Sequence, residues 1–198
     1  MPVLSLRRVR DAAPRLPWLT ALIEAGSIID QGVDRAVAAS GRVPACRSGC
    51  HACCSQPIPV STIEAQGLRW FALSHLGGDL ARRVGEALTM QRQAPCPFLA
   101  DGVCAVYPLR PLACREYIVF SQPCQLGERP DQTRPHDVLP LARTAQLQAF
   151  TVLLPFYGVR DGGSRDAALQ NRLVLRDTRI LQQLDWQGLG AALCGNSH

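Results

Sequence analysis

The chain has 198 residues, 47% of them hydrophobic, and a formal charge of +5, which suits one domain, at most two, with apolar residues enough for a core. All 21 basic residues are arginine, so a lysine Schiff base, a lysine general base and a Walker-type phosphate loop are excluded. The arginines are scattered rather than massed on one helix face, and nucleic-acid binding is not expected.

No apolar run reaches the ~20 residues of a membrane helix. Met1 to Pro17 reads as an irregular arm, broken by three prolines, without the apolar stretch of a secretory signal. The expected location is the cytoplasm, with no membrane partner. Trp18 to Ala39 is predicted to be an amphipathic helix: Leu19, Leu22, Ile23, Ile29, Val33 and Val37 fall mostly at helical spacings, and Gly41 and Pro44 stop it. A cysteine-bearing loop follows. Ser61-Thr62-Ile63-Glu64 is a capping box that opens a helix to about Ser74. Asp79 is predicted to cap a helix from Leu80 to about Gln93, ended by Pro95.

Residues 94–136 hold seven of the 15 prolines and four cysteines, too much proline for continuous helix or sheet. Metal–thiolate bonds are one source of order for such a segment. Asp137 is predicted to cap a helix to about Leu154, with Pro140 in its first turn, and Ser164 or Asp166 a last helix to about Leu184. The tail with Cys194 and His198 is expected to be loose. The predicted class is mostly α, with helices around an irregular Cys/Pro-rich metal-binding centre. A single domain spans 1–198, with the cysteine core at 46–124 and flanking helices at 18–39 and 137–184.

Eight of the nine cysteines fall in that core: Cys46, Cys50, Cys53, Cys54, Cys96, Cys104, Cys114 and Cys124. Structural disulfides are disfavoured in a reducing compartment, and neighbours such as Cys53 and Cys54 pair poorly. A buried, unconnected thiol suits Cys194 but not four cysteines within nine residues of a polar loop. Ligation remains: thiolates select zinc or iron–sulfur clusters. In extended backbone Cys53 and Cys54 diverge, so one can join Cys46 and Cys50 while the other serves a second metal or bridges. Spacing leaves open two four-cysteine sites, or one site plus redox-active or second-shell thiols.

Four thiolates around zinc or an iron–sulfur cube leave negative charge that Arg47, Arg110 and Arg115 are placed to offset. His51 offers a nitrogen donor, although a lone loop histidine is more often no ligand; His75, His136 and His198 have no partner spacing. Cys46-x3-Cys50-His51 has one residue too many for c-type haem attachment. Tyr107, Glu116 and Tyr117 are the proton-transfer candidates nearest the ligands. The blander reading makes both tyrosines packing residues and Glu116 a solvated surface charge.

Cys-x3-Cys-x2-Cys-Cys, Cys-Pro-Phe-Leu, Gly-x-Cys-x-x-Tyr and Arg-Pro-x-x-Cys-Arg together resemble the YkgJ-type cysteine-cluster family, over about Cys46 to Tyr117. The resemblance implies a zinc- or iron-chelating domain with Cys46, Cys50, Cys53, Cys54, Cys96, Cys104 and Cys114 as ligands. Tyr107, Arg110, Pro111 and Arg115 are motif companions, and Cys124 fits the pattern less securely. One branch, considerably longer, is similar to flagellin lysine methylases, in which an iron–sulfur cluster accompanies S-adenosylmethionine-dependent methyl transfer. Cys46-x3-Cys50-x2-Cys53 also matches the radical-SAM spacing, but Ala52 replaces its usual aromatic and the strand–helix alternation of its barrel is missing.

The expected function is metal-cluster binding, with an iron–sulfur cluster favoured over zinc and a redox or cluster-supported enzymatic role. The alternative is a zinc-stabilised structural or adaptor module without catalysis. A further alternative, protein lysine methyltransferase-like activity, rests on family analogy alone. The partner is an unidentified protein or small molecule.

Overall fold

The computed structural model describes Val9, Asp11 and residues 15–47, 49–90 and 94–195. The predicted arm falls mostly outside them, as do Gln93 and His198. The protein is mostly α-helical, and no described helix is long and apolar enough to cross a membrane.

Helix α1 spans Pro17–Ser40, with Pro17 in its first turn and Gly41 ending it in the left-handed region at φ 62°. A proline costs little at the start of a helix, and glycine closes the end without strain. One face, Leu19, Leu22, Ala25, Ile29 and Val33, is buried. It packs on α6 (Arg143–Leu153) and the short α4 (Leu112–Glu116). Gly32 makes the α1–α6 approach feasible, because a Cβ there would lie 2.3 Å from the Cβ of Ala145.

Helix α2 (Thr62–His75) starts at the predicted capping box, where the Ser61 N–H donates to Glu64 Oε2 at 2.9 Å. Helix α3 is Gly78–Thr89, so Asp79 lies in its first turn rather than at its cap. There the carboxylate pairs with Arg82 and Arg83. A hairpin of β2 (Leu99–Ala100) and β3 (Val103–Cys104) follows. Its turn, Asp101-Gly102, has φ of 51° and 74°, the positive pair that the commonest two-residue hairpin turn requires. Helix α5 (Pro130–Thr133) and two single-turn segments punctuate the rest of the proline-rich stretch.

Three expectations fail after residue 136. Asp137 caps no helix: it is buried and bonded to Arg42, Arg134 and Ser121. The long last helix is broken. Asp161 caps α7 (Gly162–Gln170), and Arg172 turns left-handed at φ 54° before α8 (Leu173–Arg176). Strand β4 (Arg179–Ile180) then pairs antiparallel with β1 (Pro59–Val60), Pro59 opposite Ile180. The tail is not loose up to residue 195: α9 (Gln187–Gly195) packs on α3. The two backbones meet at a glycine pair, where a Cβ on Gly85 would lie 2.9 Å from the carbonyl oxygen of Gly190.

Two apolar cores result. One holds Leu68, Phe71, Leu88, Phe98 and Trp186; the other holds Ala25, Ile29, Phe120, Phe150 and Leu153. Trp186 meets Phe98 edge-on at 5.3 Å and donates its indole N–H to the Leu181 carbonyl at 2.7 Å.

Candidate metal centre

All nine cysteines are free thiols. Their backbone is irregular but tied. Ala52–Ser55 is a single helical turn, and the Cys96 N–H donates to the Cys54 carbonyl at 2.7 Å. The β2–β3 register sets Leu99 opposite Cys104, while the Leu99 N–H donates to the Cys96 carbonyl. Cys114 lies on α4, whose first N–H, at Leu112, donates to Glu64 Oε1 at 2.8 Å. One buried carboxylate thus joins the start of α2 to the start of α4. Burial raises the Glu64 pKa against the lowering hydrogen bonds from Ser61 and Leu112.

This framework gathers Cys53, Cys96, Cys104 and Cys114 from three stretches. The Cys96 thiol is pushed up to about 12, chiefly by burial and then by the charges of Cys104 and Cys53. Cys114 is raised well above the usual thiol range by burial, then by Cys96, Cys53 and Cys104. Cys104 is raised by burial and Cys53, while Arg110 and Arg115 pull it down. Cys53 is raised first by its hydrogen bond with Cys54, then by burial. The two neighbours sit in a helical turn, not in the extended backbone on which the expected divergence of their side chains rests.

A second group lies further out. Cys46 accepts the Val119 N–H at 3.3 Å, beside the bridge pairing Pro44 with Phe120. Its thiol is raised by burial and by Cys50 and Cys53. Cys124 is raised by burial and by Cys46, and lowered by Arg134. Cys50 is exposed. Cys53 therefore feels both groups. Cys194 stands apart on α9 and is exposed, not the buried thiol expected, with its sulfur 3.9 Å from the Arg82 carbonyl oxygen.

Of the companion residues, Arg115 is enclosed: it pairs with Asp30 at 2.6 Å and donates to the carbonyls of Arg110 and Pro108. Arg110 stacks on the exposed ring of Tyr107 at 4.3 Å. Arg47 is exposed, as is His51, whose Nδ1 lies 3.1 Å from the Gly49 carbonyl oxygen. Glu116 is buried, not a surface charge; Gln146 donates to its Oε2 at 3.2 Å. Tyr117 donates its hydroxyl to Asp131 at 3.1 Å.

Sequence reasoning missed Glu64 as a bridge, Asp30 as the partner of Arg115, and Arg134. The Arg134 guanidinium joins Glu128, Asp137 and the Phe120 and Gln122 carbonyls around the Cys124 loop. The capping box pointed to Glu64. Nothing in the spacing pointed to the other two.

Among the described residues, no three His, Cys, Asp or Glu side chains form a ready-made metal-ion site. The donor set nevertheless fits zinc or iron. It is made of free thiols, shielded by the core and crowded enough to raise one another's pKa, where a soft cation favours the thiolate.

Fold and donor set together define a cysteine-rich unit set into a helical frame. Residues 45–136 match the family model described as "CxxCxxCC: Putative zinc- or iron-chelating domain". The matched segment holds all eight core cysteines and agrees with the family resemblance of the motifs. Comparison with curated proteins and with solved structures gives no match.

Proposed function

We propose that this is a metal–thiolate protein in which Cys53, Cys96, Cys104 and Cys114 hold an iron–sulfur cluster. Cys46, Cys50 and Cys124 form a second, more exposed thiolate group, and Cys54 supports Cys53. What supports this reading is the match of residues 45–136 to a zinc- or iron-chelating family model, together with four free thiols from three separated stretches that raise one another's pKa. When bound, such a cluster supplies electron storage or, with an open position, Lewis acidity. The chain's own part is electrostatic and steric. Arg110 and Arg115 lower the cost of thiolate charge at Cys104, and the apolar core keeps water from Cys96.

The enclosure of the same four cysteines favours a second reading, zinc as a structural ion, because closed four-thiolate zinc sites are structural. Anaerobic purification with metal and sulfide analysis separates the two. Iron with acid-labile sulfide and broad visible absorption supports the cluster. A colourless protein with stoichiometric zinc supports the structural site. Neither metal, with eight freely titrating thiols in the core, sinks both.

A further inference from the structure

A cavity of about 490 Å³ lies against the inner thiol group, with Cys53 and Cys114 in its wall. That volume is within the usual range for small-molecule sites. Its lining is mainly apolar: Leu112, Leu139, Phe150 and Val174 are all buried. Leu141 and Leu175, 58% and 40% exposed, mark its solvent side.

One polar group in this lining is unpaired among the described residues. Glu116 is 9% exposed, its Oε2 takes the amide of Gln146, and its Oε1 is buried without a hydrogen-bond partner. A buried acceptor left unpaired is costly, and a donor that satisfies it gains correspondingly. Charge points the same way. The lining carries the carboxyl groups of Glu64, whose oxygens Ser61 and Leu112 already hold, Glu116 and Asp131 against one guanidinium, Arg129, which Asp131 pairs at 2.9 Å. The result is an apolar recess with more acceptors than cations in its wall, where Glu116 Oε1 is the acceptor still open to a donor.

We propose that the cavity binds a small organic amine. Its hydrocarbon body lies on Leu139, Phe150 and Val174, and its ammonium group donates to Glu116 Oε1. The site gives an organic molecule a way to the wall formed by Cys53 and Cys114. It stands on the cavity and on Glu116, whichever metal the thiols hold.

The test is calorimetric titration of the full chain with hexylamine, 1-hexanol and hexanoate as probes, with metal content measured on the same samples. Hexylamine is expected to bind about tenfold more tightly than 1-hexanol, as one charge-assisted hydrogen bond allows, and hexanoate most weakly. Glu116→Gln is expected to abolish the amine preference and keep hexanol binding. Leu175→Trp, a change at the exposed rim, is expected to weaken both probes. Equal binding of amine and alcohol, a preference that survives Glu116→Gln, indifference to Leu175→Trp, or no binding at millimolar concentration each overturns the inference. Failure of the metal reading shows separately, as metal-free protein that still discriminates the amine.

Discussion

Arg115→Met removes the guanidinium that ties the second half of the cysteine segment to α1, and keeps most of the aliphatic stem. The guanidinium lies over Gly26, where an added Cβ would be 3.0 Å from its central carbon. It pairs with Asp30 at 2.6 Å and donates to the Pro108 and Arg110 carbonyls at 2.9 and 3.1 Å. The Arg115 side chain is 11% exposed, but Asp30 is 42% exposed. Solvent therefore screens the ion pair, which is worth only about 1 kcal/mol. The two carbonyl bonds, made by a charged donor in an enclosed place, add about 1 kcal/mol each. The expected loss is about 3 kcal/mol, or roughly 6–12 °C in Tm for a chain of this size. Far-UV circular dichroism on thermal and urea unfolding, at matched metal loading, measures it. Asp30→Ala removes this ion pair together with the longer contact of Asp30 to Arg110 at 3.4 Å, both solvent-screened, and is expected to cost about 1 kcal/mol. If Arg115→Met costs no more than Asp30→Ala, the carbonyl clamp contributes nothing and the reasoning fails.

Cys96→Ser is expected to strip metal from the inner group and Cys50→Ser to lower metal content partially, while Cys194→Ser changes neither; metal analysis of the three purified variants checks this. The Asp137 carboxyl is held at about 2, first by the Ser121 hydroxyl and then by Arg134 and Arg42. An unfolded aspartate titrates near ~3.9. Its stabilising contribution is therefore complete above about pH 4 and is lost as pH falls through about 2. The stability gap between wild type and Asp137→Asn should be constant from pH 7 to 5 and close below pH 4 in acid-unfolding curves. Gly85→Ala puts a Cβ 2.8 Å from the Cys194 sulfur and 2.9 Å from the Gly190 carbonyl oxygen. It should cost about 1–3 kcal/mol by overpacking, read from urea midpoints.

What the sequence made legible was local chemistry. The apolar stripe from Leu19 to Val33, Gly41 and the Ser61–Glu64 box each specify structure within a few residues, and all three are seen. Asp101-Gly102 carried an equally local hairpin signal, which the density of proline around it concealed. The expected helix from Ser164 to Leu184 failed because Leu169, Leu173, Ile180 and Leu181 keep an apolar rhythm through a left-handed Arg172 and a strand paired with residues 59–60. That pairing is long-range, and no window of sequence contains it. Site residues divided the same way. The cysteines announced themselves by residue type. Glu116 looked like a surface charge because the side chain that meets it, Gln146 of α6, lies far along the chain.

The proline-rich stretch poses the question of what orders it, and metal–thiolate bonds were the expected answer. Side-chain clamps supply much of that order. Glu64 holds Leu112, Arg115 holds Pro108 and Arg110, and Arg134 holds Phe120 and Gln122. Gln56 donates to the Glu128 carbonyl at 2.9 Å, and Gln182 returns from the C-terminal region to donate to the Gln56 carbonyl at 2.7 Å. Each bond contributes on the order of 1 kcal/mol, and none needs a metal. Phe98, Val106 and Leu109 are also buried in the core shared with α2 and α3. In a small zinc finger, by contrast, metal binding is nearly the whole folding free energy. Chelation of this protein under reducing conditions should therefore lower the Tm yet leave the far-UV helical signal intact at room temperature. Loss of that signal on chelation would show that thiolate bonds, not the clamps, hold residues 94–136 in place.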